Sequence, residues 1–333
     1  MKAQVLHAPK LLSEKPLSFE EVGLPQADTT QFRIKVETCA VCRTDLHIIE
    51  GDIELKKKPI IPGHQVIGTV DQVGEKITKF SVGDLVGIPW MRSTCNKCIF
   101  CERGQENLCS QANFNGYHLD GGYAEYMVCS EEFAVKLPAS IDPIQTSPLL
   151  CAGTIGYRSL QLSKTKNAKY VGLYGFGSSA HIAIQIALHW GCEVFVFTRN
   201  QDHQAHAKRL GASWVGAPTD TPPVKLHSSI IFAPAGELVP IALYHLEKSG
   251  TIAINAISMS DIGRIKYQDL YFEKNLISVT NSTKKDVTDL IQLSEHIPLH
   301  VDTKVFGLEE APQALSLLKE SKLTGSPVIF LNK

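Results

Sequence analysis

Four of the nine cysteines in this chain, Cys95, Cys98, Cys101 and Cys109, fall within one fifteen-residue stretch. The pattern Cys-x-x-Cys-x-x-Cys with a fourth cysteine eight residues on puts four thiolates on one loop, with Asn96, Lys97, Arg103 and Gly104 between them. A closed tetrahedron of four thiolates leaves no position for water, so a zinc ion there would be structural. An iron–sulfur cluster is the rival, but the bacterial run of that kind has a shorter final gap and a proline after its last cysteine, where Ser110 stands here. A second set is scattered. Cys42 opens Cys42-Arg43-Thr44-Asp45-Leu46-His47, His64 sits in Gly63-His64-Gln65-x-x-Gly68, and Cys151 in Pro148-Leu149-Leu150-Cys151-Ala152-Gly153. Two thiolates and an imidazole would leave a fourth position of a tetrahedral zinc open to substrate. Each motif is weak alone, because a lone Cys or His in apolar surroundings is more often a packing residue.

A third motif concerns phosphate. Gly175-Phe176-Gly177-Ser178-Ser179-Ala180 fits G-x-G-x-x-G/A. It follows an apolar run, Tyr170 to Tyr174, and opens an apolar helical segment, Ala180 to Trp190, closed by Gly191 and followed by a strand, Glu193 to Phe197. In that strand–turn–helix context the helix's first amides and dipole accept a dinucleotide's pyrophosphate. The carboxylate that would bind the ribose 2′-hydroxyl is missing after Phe197, where Thr198, Arg199 and Asn200 follow. An arginine there pairs with a 2′-phosphate, which favours NADP while leaving NAD possible.

These motifs need a scaffold to bring them together. Up to about Leu150 the chain has short β-type runs, Phe32 to Val36, Val66 to Val73 and Ala124 to Val128, broken by Gly and charged turns. Beyond Cys151 strands alternate with helices, with further apolar runs at Ser229 to Phe232, Thr251 to Asn255 and Leu276 to Thr280, as in a parallel sheet. At 333 residues, two domains are expected. Lys plus Arg is 33 against 34 for Asp plus Glu, so charge alone gives no nucleic-acid or membrane partner, and small molecules are expected instead. No apolar h-region opens the chain and no uninterrupted apolar run approaches about 18 residues, so a cytoplasmic protein is expected. The odd cysteine count suits metal ligation in a reducing compartment. Cys39, three residues before Cys42, mimics a redox pair, but like Cys129 and Cys192 it reads as a packing thiol.

Together and in this order, the motifs resemble the zinc-dependent alcohol dehydrogenases of the medium-chain dehydrogenase/reductase family over essentially the whole chain. The resemblance implies an α/β plus β architecture. A GroES-like catalytic domain (1–151, with the zinc lobe 95–109) would be completed by 282–333 and would flank a Rossmann domain (152–281), with the site in the cleft between them. It implies two zinc ions, one structural and one catalytic on Cys42, His64 and Cys151. Asp45 would orient His64, Thr44 would accept a hydrogen bond from the bound alcohol, and His47 would pass the proton to solvent. Arg43 would contact the pyrophosphate, and Trp90 and Ile53 would line a pocket for alcohols or aldehydes larger than ethanol. A homodimer or homotetramer is implied. Gln65 stands where the family usually has Glu, which argues against a polyol dehydrogenase. Gly325-Ser326 replaces a usual arginine, and Ile155 a usual threonine beside Thr154. The rival readings are a polyol or secondary-alcohol dehydrogenase, a zinc-free quinone or enone reductase, and a non-catalytic zinc- or nucleotide-binding protein.

Overall fold

A computed structural model of the chain describes residues 1–331. Contacts divide the chain into two units. The first comprises Met1–Cys151, Asn281–Gln292 and the chain from Val301 onward; the second comprises Ala152–Thr280 and Leu293–His300.

The first unit is built on a mixed seven-stranded sheet. Its order is Thr303–Phe306, Ser326–Phe330, Gln31–Ala40, Val66–Val73, Leu85–Ile88 and Val135–Lys136, with Tyr126–Ser130 also pairing on Gln31–Ala40. Along Gln31–Ala40 the residues Phe32, Ile34, Val36 and Thr38 alternate inward, as a half-buried strand requires. At its end Cys39 and Ala40 are both buried, where the strand runs into the segment carrying Cys42. The strand expected from Ala124 starts instead at Tyr126. Ala124 makes only an isolated bridge to Ala3, because the residues before it hold another loop: the amides of Gly121, Gly122 and Tyr123 donate to the carbonyls of Ile61, Gly63 and Pro62.

The second unit carries a six-stranded, wholly parallel sheet. Across it run Trp214–Gly216, Glu193–Phe197, Tyr170–Tyr174, Leu226–Ile231, Leu246–Ile254 and Asn275–Ser278. Counted along the chain that order is third, second, first, fourth, fifth, sixth, the doubly wound arrangement in which ligands bind at the strand ends where the order reverses. The reversal lies between Tyr170–Tyr174 and Leu226–Ile231, and Gly175 follows the first of these. Helix Ser178–His189 buries Ala180, Ile182, Ala183, Ile184, Ile186 and Ala187, so it is enclosed nearly all round. It ends at Gly191, whose φ of 84° is the left-handed conformation glycine tolerates. Among the described residues no helix is long and apolar enough to cross a membrane.

Candidate metal centres and cofactor loop

Cys42 is the N-cap of helix Arg43–Glu50, in extended conformation, with Asp45 at the third helical position. The Asp45 carboxylate reaches back to accept the Cys42 amide at 2.9 Å, which fixes the turn bearing the thiol. The helix N-terminus also favours a thiolate. Asp45 is fully buried and accepts two further bonds, from the Tyr123 hydroxyl at 3.2 Å and from His64 Nδ1 at 2.8 Å. A carboxylate that accepts from Nδ1 leaves Nε2 as the lone-pair nitrogen of the neutral imidazole, the form that binds a metal. That Nε2 is buried without a hydrogen-bond partner. A buried ring nitrogen without a partner costs about 1–3 kcal/mol unless a ligand satisfies it.

The Cys42 and Cys151 sulfurs supply the rest, since the ligand atoms of Cys42, His64 and Cys151 all lie within 4.8 Å of one another. Cys151 ends the turn Ser147–Leu150, immediately before helix Ala152–Leu162. The segment carrying His64 is shaped by Gly63. Its φ is 98°, and a Cβ there would come within 2.5 Å of the Tyr123 ring and 2.9 Å of Cys39 Sγ. Without metal, the hydrogen bond from Cys151 holds the Cys42 thiol well below the ordinary range against burial, and the same contact, with burial, pushes Cys151 well above it. Burial works to lower His64, but Asp45 and then Cys42 overcome it and raise the imidazole to about 10. A divalent cation bound by these three groups would compete with their protons.

Around this cluster Thr44 Oγ1 lies 3.6 Å from Cys42 Sγ. His47 pairs through Nδ1 with Asp52 at 2.7 Å and keeps its ring partly open to solvent. Arg43 donates through Nη2 to the Leu318 carbonyl and the Ser321 hydroxyl. Gln65 is buried and its amide donates to the Ala40 carbonyl at 3.2 Å, tying the His64 segment to the end of the long strand. The Trp90 ring stands edge-on to His64 at 4.8 Å and stacks on Phe114 at 4.8 Å and Tyr117 at 6.0 Å. Ile53 is half-buried, its amide on the His47 carbonyl. Sequence reasoning missed Phe114, Tyr117 and Tyr123. The only signal was an aromatic-rich run after Cys109, broken by Gly116 and by Gly121-Gly122.

The four-cysteine loop is built locally, from the turn at Cys95–Cys98, the short helix Ile99–Glu102 and the turn Glu106–Leu108. Its sulfurs are 3.5 Å apart for Cys98–Cys101 and Cys95–Cys109, and 3.9 Å for Cys95–Cys101. A tetrahedron with zinc–sulfur bonds of about 2.3 Å has edges of about 3.8 Å, so the residues fit that ion. The Lys97 amide lowers Cys95 to about 6 against its burial, while burial and its sulfur neighbours raise Cys101 to about 11. The loop is tied down by Thr94 on Glu132 and by Glu106, which accepts the Lys284 amide at 2.8 Å.

In the second unit, Gly175 has φ of 92° and a Cβ there would meet Ala233 at 3.0 Å, whereas Gly177 faces open space. Backbone can therefore approach a ligand at Gly177, with Ser178, Ser179 and Ala180 opening the helix behind it. At the second strand's end Thr198 is buried, its amide on the Gly216 carbonyl and its carbonyl accepting from Gln204, and Arg199 is exposed. Asn200 caps helix Gln201–Arg209, and the strand-end residues Thr198 to Asn200 include no carboxylate.

Residues 28–139 match the alcohol dehydrogenase GroES-like domain. A probable alcohol dehydrogenase of Mycobacterium tuberculosis is 39% identical, covering 99% of this chain and 97% of its own length. A cinnamyl alcohol dehydrogenase from Sorghum bicolor superposes with a TM-score of 0.89 at 25% identity, over 99% of this chain and 98% of its own. A cobalt- and zinc-bound thermostable alcohol dehydrogenase from Pyrobaculum aerophilum gives 0.89 at 22%, over 99% of each chain. The GroES-like unit, the doubly wound nucleotide sheet and this end-to-end similarity lead to one conclusion: the chain belongs to the medium-chain alcohol dehydrogenases, NAD(P)-dependent enzymes that interconvert alcohols and aldehydes and typically use zinc.

Proposed function

We propose that the chain oxidises primary alcohols and reduces aldehydes at a zinc ion held by Cys42, His64 and Cys151, and that Cys95, Cys98, Cys101 and Cys109 hold a second, structural zinc. The observation that carries this reading is His64, with Nδ1 held by Asp45 and a buried Nε2 beside two sulfurs and no hydrogen-bond partner. The metal content of the Pyrobaculum aerophilum neighbour supports it.

Zinc in such a site supplies a Lewis acid that lowers an alcohol's pKa and polarises an aldehyde carbonyl. The chain's own groups position and deprotonate the substrate. Asp45 locks the imidazole's tautomer and orientation. Thr44, beside Cys42, takes the alcohol's proton, and His47, supported by Asp52 and open to solvent, carries it outward. Trp90, stacked on Phe114 and Tyr117, forms an apolar wall that excludes water. Ile53 leaves more room than an aromatic side chain would, so substrates larger than ethanol fit.

The helix that begins at Ser178 binds the cofactor pyrophosphate, with Gly175 and Gly177 shaping the turn, Ser179 and Ala180 in its first turn, and Arg43 as a further cation. NADP is favoured over NAD, because Thr198 removes a carboxylate and Arg199 can pair with a 2′-phosphate. The chain acts as a homodimer or homotetramer. In support, edge strand Asn275–Ser278 is flanked by exposed Tyr267, Tyr271 and Phe272 and itself exposes Ile277. Its free cysteines and ligand clusters suit the cytoplasm. A panel of aliphatic and aromatic alcohols and aldehydes, run with both cofactors, tests this. The expected result is kcat/KM at least about 10-fold higher with NADP(H) and activity on alcohols larger than ethanol; better use of NAD(H) would make Arg199 a bystander.

A further inference from the structure

Arg92, on strand Met91–Ser93, is only 5% exposed, yet no carboxylate among the described residues pairs with it. Its Nη1 donates to the Val128 carbonyl at 2.6 Å and to Asn115 Oδ1 at 3.2 Å, while Nε and Nη2 have no partner among the described residues. The acids near it are engaged elsewhere: Asp28 accepts from Thr30, and Asp120 pairs with Lys57 and accepts the Ile61 amide. Arg33 in the same unit gives the contrast. It too spends Nη1 on a carbonyl, that of Pro25, but its Nε and Nη2 edge grips both oxygens of Asp71 at 2.8–3.1 Å. Arg92 therefore presents unfilled the fork that Arg33 fills with a carboxylate.

Arg92 lines a cavity of about 380 Å³ whose remaining wall is largely apolar, including Val5, Val22, Pro59, Ile60 and Met127. That volume lies within the usual range of small-molecule sites. Asp120 is the single carboxylate of the wall and its charge is already balanced by Lys57, which leaves the Arg92 guanidinium without a counter-charge there. A mostly buried guanidinium whose fork has no protein partner among the described residues gains from an anion held out of bulk water. Burial accordingly lowers the Arg92 pKa, which an anionic partner would oppose.

We propose that this cavity binds a small organic carboxylate, its oxygens bidentate on Nε and Nη2 of Arg92 and its apolar body against Val5, Val22 and Ile60. The site shares no residue with either metal-ligand cluster.

Calorimetric titration of the metal-loaded enzyme with hexanoate, hexanamide and inorganic phosphate tests the proposal. Hexanoate should bind once per chain in this cavity, with saturation by about 1 mM, and hexanamide and phosphate at least about 10-fold more weakly. Arg92→Lys keeps the charge but loses the fork, and Val22→Phe fills the apolar end. Each should weaken hexanoate at least about 10-fold, with kcat/KM for an alcohol unchanged. Val22→Phe leaves the Asn115 and Val128 bonds intact, so it decides the matter if Arg92→Lys does not fold. Failure to bind at 10 mM (about ten times the expected saturating level), equal binding of hexanamide or phosphate, or undiminished binding in Val22→Phe would overturn the proposal.

Discussion

The first unit contains two sulfur clusters made in opposite ways. The four-cysteine loop takes its ligands from one fifteen-residue stretch, and its cysteine side chains are mostly only partly buried. The other cluster draws on positions 42, 64 and 151, and its histidine is fully buried and fixed by a buried carboxylate. A local loop that closes four thiolates on an ion gains folding energy from it but offers no ligand position. A cluster gathered from a helix cap, a glycine-shaped loop and the end of a turn is already held by backbone and second-layer bonds. It can therefore leave a position open without losing its shape.

If that contrast is right, the same kind of substitution should have opposite effects in the two places. Cys42→Ala should lower kcat about 10³-fold or more while the melting temperature changes little, since several kcal/mol of charge stabilisation are lost. Cys98→Ala should instead destabilise or aggregate the protein. Unaltered stability in Cys98→Ala would remove the structural role of the loop. The next effect in size sharpens the contrast at its second layer: Asp45→Asn should weaken metal affinity at the Cys42 cluster about 10- to 100-fold, read by chelator competition, and leave the four-cysteine loop's metal in place. Equal loss from both sites would mean Asp45 acts on the fold of the whole unit. The smallest effect concerns Gln65. A Glu there would set an acceptor against the Ala40 carbonyl in place of the amide donor, so Gln65→Glu should cost about 1–3 kcal/mol of stability in denaturant unfolding. No loss would show that the Gln65–Ala40 bond contributes nothing.

The two clusters were also unequally legible. The loop could be read from spacing alone, because cysteines three residues apart, with a fourth eight residues on, must be near one another. The strands Val66–Val73, Tyr170–Tyr174 and Glu193–Phe197 were equally plain, being unbroken apolar or alternating runs. The scattered cluster became readable only when its motifs were taken together, since nothing local brings positions 42, 64 and 151 into contact. What stayed hidden depends on contacts across long separations: Tyr123 on Asp45, Phe114 stacked on Trp90, and the unpaired fork of Arg92. The strand that begins at Tyr126, two residues later than its pattern suggested, has the same origin, because the preceding glycines are committed to the loop at Ile61–Gly63.

The central claim, one closed and one open zinc site on disjoint residues, is tested most directly by metal analysis of the purified enzyme after removal of loosely held ions. About two equivalents of zinc per chain are expected, falling to about one in Cys42→Ala with the fold retained. A single equivalent in the wild type, or iron in place of zinc, would contradict the account.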